Sequence, residues 1–308
     1  MNILSNVISR RAFLRHTGSL AALGLATLPE WSCASDPKLF FRISLAEWSF
    51  NVSLKAGRMD HLDFPVIARS EFDLDGVEYV NQFFMDKAKD TAYLSELKKR
   101  CDDNGVRSLL IMCDREGELG NTTAAERQQS VENHFKWVDA AHFLGCHSIR
   151  VNCAGTGTPE EVAAAGTDGL SRLSEYAGQA GLNVIVENHG GYSSNGKWLT
   201  AVIRAVSMPN CGTLPDFGNF NLGNNTWYDR YQGVEEMMPL AKAVSAKSYD
   251  FDDQGNCIET DYLRMLKIVK AAGYTGYIGI EYEGAKLSER DGIRATLQLL
   301  KKNGSQIS

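Results

Sequence analysis

A chain of 308 residues, 44% hydrophobic and 23% charged, has the size and composition of one large globular domain, and α/β barrels reach this length undivided. A formal charge of −6, with no run of clustered Lys/Arg in the body of the chain, argues against a nucleic-acid partner. Seven cysteines form an odd set at irregular spacing without a Cys-x-x-Cys pair, which suits small buried side chains better than a disulfide framework.

The N-terminal segment differs from the rest. Ser9-Arg10-Arg11-Ala12-Phe13-Leu14 resembles a twin-arginine export signal, an apolar stretch follows at 20–28, and Ser32-Cys33-Ala34 offers a small-residue cleavage site. The stretch is too short to span a bilayer. The expected organisation is an export signal over 1–34 and a single domain over 35–308, with a periplasmic destination. A lipid anchor at Cys33 is the weaker alternative, because Glu30-Trp31 sit where small or apolar residues belong.

Beyond residue 40, short β-rich runs alternate with longer amphipathic ones. Strands are expected at 41–48, 76–81, 106–113, 147–152, 183–189, 212–216, 243–247 and 277–281. Helical patterns lie between and after them, among them 93–103, 124–144, 159–180, 262–272 and 287–302. Asn104-Gly105, Gly145, Gly181 and Gly273 punctuate helix ends, and strands begin within two residues of the first and third of these stops. Strict alternation implies parallel pairing through right-handed crossovers. Eight such units predict a single (β/α)8 TIM barrel. An open doubly wound sheet is disfavoured, since no Gly-x-Gly-x-x-Gly joins a strand to a helix.

A barrel of this kind carries its active site at the C-terminal ends of its strands. Those ends read Glu47-Trp48, Glu78 with Asn81, Asp114, Arg150 with Asn152, Glu187 with His189, Asp216, Lys247, and Glu281 with Glu283. Strand alternation puts Glu187 and His189 on one face, and likewise Glu281 and Glu283. Glu187, Asp216 and Glu281 therefore converge, and three carboxylates in one apolar-walled cup repel unless a cation sits among them. An all-oxygen donor set favours Mn2+ or Mg2+ over Zn2+. Glu47, Trp48, Asn81, Arg150, Asn152, His189 and Lys247 are the expected substrate contacts. Trp48, Phe83, Phe84, Trp227 and Tyr228 follow strands and offer faces for sugar C–H surfaces or for core packing. His61, His134 and His142 fall on helical segments and read as surface or packing residues. The acidic run at 250–255 superficially matches a calcium loop and reads as a solvated turn.

The motifs Ser44-Leu45-Ala46-Glu47-Trp48-Ser49, Gly76-Val77-Glu78-Tyr79-Val80-Asn81, Ser148-Ile149-Arg150-Val151-Asn152, Val186-Glu187-Asn188-His189-Gly190-Gly191, Pro215-Asp216-Phe217-Gly218-Asn219 and Gly279-Ile280-Glu281-Tyr282-Glu283-Gly284 stand in order, each at a strand end. Together they resemble the sugar-phosphate isomerase/epimerase branch of the xylose isomerase-like barrels. In ketose epimerases of that superfamily Glu, Asp, His and Glu from strands five to eight hold a metal, and the two glutamates exchange the substrate proton. The resemblance implies that Glu187 and Glu281 are ligands and acid/base groups, and that Asp216 is a ligand. The sequence departs from the pattern where Ser245 replaces the seventh-strand His and Asn219 replaces a second His. His189 or a water on Ser245 completes the coordination, or Lys247 supplies positive charge instead. The implied reaction is proton abstraction next to a sugar carbonyl through an enediolate, giving isomerisation or epimerisation. A lyase or hydratase on a keto-sugar uses the same site, and a non-catalytic sugar-binding barrel is the contrasting reading.

Overall fold

Aliphatic runs become strands where a left-handed glycine stops the preceding helix. Gly105 (φ 63°) and Gly145 (φ 80°) end two helices, and the next amides turn back: Val106 N–H donates to Cys101 O and Cys146 N–H to Ala141 O, both at 2.9 Å. A side chain with Cβ is strained at such φ, so glycine fixes the short helix-to-strand turn.

The computed structural model describes residues 38–308; the segment 1–34, with Arg10, Arg11 and Cys33, lies outside the described residues. Eight parallel strands form one sheet: β1 (Arg42–Ala46), β2 (Gly76–Val80), β3 (Arg107–Met112), β4 (Ser148–Val151), β5 (Asn183–Glu187), β6 (Cys211–Leu214), β9 (Val244–Ser248) and β10 (Tyr277–Tyr282). Two short strands, β7 (Asn221–Gly223) and β8 (Thr226–Trp227), pair antiparallel as a separate hairpin after β6. The order is β6-β5-β4-β3-β2-β1-β10-β9. The ends meet just past β6, where Ser245 N–H donates to Pro215 O (2.9 Å) and Phe217 N–H to Ser245 O (3.1 Å). These bonds close the (β/α)8 barrel.

The helices are α1 (Asn51–Lys55), α2 (Phe64–Phe72), α3 (Thr91–Asn104), α4 (Ala124–Leu144), α5 (Pro159–Gln179), α6 (Gly196–Val206), α7 (Arg230–Met237), α8 (Tyr262–Ala271) and α9 (Glu289–Ser305). α5 starts with a capping box between Thr158 and Glu161, which satisfies two otherwise unpaired backbone donors. Strand alternation sorts the apolar residues into two clusters. Leu45, Val77, Ile149, Val184, Val186 and Ile280 belong to the large cluster under the helices. Ala46, Val80, Leu110, Met112, Ile185 and Leu214 form a small inner one. Within the barrel, Glu78 occupies a layer where Ser44 donates to its Oε1 at 2.6 Å. A Cβ on Gly279 would lie 2.5 Å from that same oxygen. Glycine there makes room for a buried carboxyl.

Six strands, β1 to β6, stop short of their expected C-terminal ends at the mouth, while β9 and β10 run one residue past theirs. β1 stops at Ala46 because Glu47 opens a 3-10 turn, Glu47–Phe50. The six described cysteines are free and buried. The acidic run at 250–255 is a closed turn: Asp252 Oδ1 accepts from the amides of Gln254 (2.9 Å) and Asn256 (2.8 Å).

Candidate metal centre and barrel mouth

Glu187 ends β5, Asp216 follows β6 and Glu281 lies in β10; one carboxylate oxygen of each falls within 4.8 Å of the others, and all three residues are buried. The three carboxylates are satisfied to different degrees. Asp216 Oδ1 accepts from the amides of Gly218 and Asn219, both at 2.8 Å, while its Oδ2 has no hydrogen-bond partner. Glu187 Oε1 accepts from Asn219 Nδ2 at 2.7 Å. Its Oε2 lies 2.8 Å from Arg150 Nε, but neither atom is aligned for a hydrogen bond. Glu281 is held at both oxygens, by Ser245 Oγ at 3.0 Å and Lys247 Nζ at 3.1 Å. A buried anionic oxygen without a partner is costly. Asp216 Oδ2 is such an oxygen, and Glu187 Oε2 has only the Arg150 charge beside it; together with Glu281 the three carboxylates form a set that suits a cation.

The electrostatics agree. Burial pushes the Glu187 and Asp216 carboxyls up, each to about 7, with the neighbouring carboxylates adding to the effect and Arg150 or Lys247 opposing it. Burial would raise Glu281 too, but Lys247 and Arg150 outweigh it and hold its carboxyl below the usual range. Burial would also discharge Lys247, yet the carboxylates around it, Glu281 first, keep the ammonium charged. Glu78, one layer deeper, is raised to about 8, chiefly by burial. It is a neutral acid at pH 7.

A wall of polar contacts surrounds this centre. Asp114 accepts from Arg150 Nη1 and Asn152 Nδ2, both at 2.8 Å, and from Gln82 Nε2 at 3.0 Å. Arg150 outweighs the burial of Asp114 and holds its carboxyl far below the ordinary value. Trp48, Arg150, His189, Glu281 and Glu283 help line a cup of 320 Å³. Burial, with the Arg150 and Lys247 charges, lowers the His189 pKa, although the residue stands at the exposed rim.

The structure brings together Glu187, Asp216, Glu281, Arg150, Lys247, Asn152, His189 and Trp48. It directs Glu47 and Asn81 elsewhere. Glu47 is fully buried and accepts from the Val80 amide at 3.0 Å, with His61 Nδ1 at 2.6 Å. Asn81 clamps the Asp114 backbone, donating to its carbonyl and accepting from its amide, both at 2.9 Å. Of the aromatic candidates, Trp48 and Phe83 face one another at the mouth, 6.0 Å apart. Phe84 is core, edge-on to Trp137, and Trp227 is 59% exposed on the hairpin. Asn219 is a cross-link rather than a gap: it donates to Glu187 and accepts from Lys247 at 3.1 Å. Glu283 and Asp114 were visible as strand-end residues without an assigned role. Gln82, Lys55 and Arg115, which also line the cup, sit in turns and a short helix where no periodic signal marks them.

The sequence matches the xylose isomerase-like TIM barrel family over residues 68–303, and the chain belongs to that family. No curated protein matches it in sequence. Among solved structures it resembles an IOLI protein with a bound zinc atom, at 13% identity and TM-score 0.67, over 87% of this chain and 99% of that one. An L-ribulose 3-epimerase superposes at 14% identity and TM-score 0.67, over 86% and 95%. A sugar phosphate isomerase/epimerase from Parabacteroides distasonis does so at 17% identity and TM-score 0.66, over 89% and 98%.

Proposed function

We propose that this protein is a divalent-metal-dependent enzyme that moves a proton at the carbon next to a sugar carbonyl, an isomerase or epimerase. Its main support is the convergence of Glu187, Asp216 and Glu281, one carboxylate oxygen of each within 4.8 Å of the others, where Lys247 lowers the Glu281 carboxyl while burial raises that of Glu187. Such separation is how a site assigns acid and base. Glu187, Asp216 and Glu281 would hold the ion, which when bound polarises the carbonyl and acidifies the adjacent C–H. Oxygen donors favour Mn2+ or Mg2+. Glu281, kept ionised by Lys247, removes the proton. Glu187, which accepts a proton more readily, returns one. Arg150 and His189 contact the substrate oxygens, and Trp48 and Phe83 offer apolar faces to the sugar C–H surface.

A lyase or hydratase on a keto-sugar is the second reading. It is favoured by Lys247, whose ammonium stands beside Glu281 on the strand where the family pattern expects a histidine. An ammonium there serves a departing oxygen as proton donor. Export through the twin-arginine-type segment fits either chemistry. The test is a panel of ketoses and keto-sugars in D2O with Mn2+, Mg2+ or Zn2+ supplied. Deuterium entering the carbon next to the carbonyl supports the proposal; binding without any exchange would identify a non-catalytic sugar-binding barrel.

A further inference from the structure

The cup is not the larger cavity at this end of the barrel. Beside it lies one of 710 Å³, and Lys55, Gln82 and Arg115 line both. The cup alone, at 320 Å³, falls at the lower end of the ~300–1,000 Å³ range of small-molecule sites, enough for a single sugar ring. Its neighbour is more than twice that size and opens onto the same wall.

We infer that the substrate has two parts, a keto-sugar in the cup and a second, uncharged sugar unit in the adjoining cavity, so that the protein acts on a glycoside. The inference rests on the sugar reading given above and extends it to the substrate class.

Three features carry it, one on the shared wall and two on the larger cavity. Arg115 holds a left-handed backbone (φ 61°), an uncommon conformation for a residue with a side chain, and such conformations cluster at ligand sites. Its guanidinium makes no hydrogen bond or ion pair with any described residue, which leaves its donors for the junction between the two units. Met59, Phe83 and Met85 line the larger cavity and give it soft apolar faces of the kind that pack on sugar C–H surfaces.

His61 is the third. It lines the larger cavity, is 4% exposed, and stacks on Phe84 with ring centres 4.3 Å apart. Glu47 fixes its Nδ1 at 2.6 Å, while Nε2 has no partner in the protein. A buried ring nitrogen without a protein partner at the cavity wall is a site for a sugar hydroxyl. Size disfavours a lone phosphate as occupant. The cavity far exceeds a phosphate group, and Lys136 on its wall is already paired with Glu116 at 2.9 Å. Glu281 and Glu283 also line the adjoining cup.

The test compares D-fructose with the glucosyl-fructoses trehalulose, turanose, maltulose, leucrose and isomaltulose, which carry glucose at different positions of the same ketose. Fructose 6-phosphate is the anionic control, and binding to the Mn2+-supplemented full-length protein is followed by calorimetry. At least one disaccharide should bind roughly tenfold or more tightly than fructose. Met59→Trp, which fills the cavity, and His61→Gln, which replaces the ring carrying the unpartnered Nε2, should each bring that ratio toward one. Fructose binding with no gain from any disaccharide, or a gain that survives Met59→Trp in a folded variant, would overturn the second subsite and leave the sugar site standing. A gain confined to fructose 6-phosphate would overturn it in favour of an anion pocket. No binding of any sugar would overturn the sugar reading itself, and this inference with it.

Discussion

Lys247 Nζ lies 3.1 Å from Glu281 Oε1 inside the barrel, and both residues are buried. Each makes the other's charge tolerable: the ammonium outweighs the burial that would protonate Glu281, and the carboxylates keep the ammonium charged. Breaking one side of such a pair leaves an uncompensated buried charge, at a cost of about 3–5 kcal/mol. Lys247→Met should therefore lower stability. It should also raise the Glu281 pKa, since the lowering influence is gone while burial remains. The acidic limb of the kcat/KM profile should move to higher pH by roughly one unit or more. An unmoved limb in a folded variant would mean that Glu281 is not the base.

The metal assignment predicts a graded series. Glu187→Gln, Asp216→Asn and Glu281→Gln each remove a charged oxygen donor and should sharply reduce bound Mn2+, measured by metal analysis of protein dialysed against a fixed Mn2+ concentration. Asn219→Ala leaves the three carboxylates in place but removes the bonds that orient Glu187 and Lys247, and should cost affinity by ~10–100-fold. Full metal retention in all three carboxylate variants would place the ion elsewhere.

Glu78 should write its pKa into the stability curve. Its native carboxyl is raised to about 8 from the ordinary 4.5, so between those values the native state holds a proton that the unfolded chain has lost. Stability then falls as pH rises through that window, by at most about 1.4 kcal/mol per pH unit. Glu78→Gln keeps the shape that Gly279 accommodates and removes the titration. Urea unfolding from pH 5 to 8 should show a flatter curve for the variant and a relative gain at the alkaline end. Parallel curves would show that Glu78 is already ionised in the native protein.

Glu187 and Glu281 should fail differently. Turnover confounds proton transfer with metal loss, so the informative measurement is deuterium wash-in at the substrate carbon with saturating Mn2+ restored. Glu281→Gln should abolish exchange. Glu187→Gln should retain partial exchange while forming little product, because removal of the proton survives and its return does not. Equal, near-native exchange in both would move the base elsewhere, with His189 the next candidate.

Export is tested by replacing Arg10 and Arg11 with Lys. The twin-arginine pathway reads that pair, so the double variant should accumulate in the cytoplasm as precursor. Normal export would identify another route.

The sequence by itself determined the barrel and the triad. Alternation of period two sends Val184 and Val186 to the helices and Glu187 inward, and that rule needs no knowledge of neighbours. The same parity pointed to Glu281 with Glu283. Left-handed glycines at helix ends are equally local, which is why the turns before β3 and β4 were legible. Elsewhere the sequence left a side chain's direction open, and only the tertiary structure decided it. Glu47 stands at a strand end like Glu187, yet it turns into the protein because His61 and the Val80 amide, from other elements, compete for its carboxylate. Asn219 reads as a lost ligand in the chain and becomes a link between Glu187 and Lys247 only when three strands converge. The second cavity is the extreme case: Lys55, His61, Gln82, Arg115 and Lys136 come from separate turns and helices, and no periodicity connects them. A repeat along one strand records which face is buried; which groups meet across the barrel mouth depends on the packing of the loops above it.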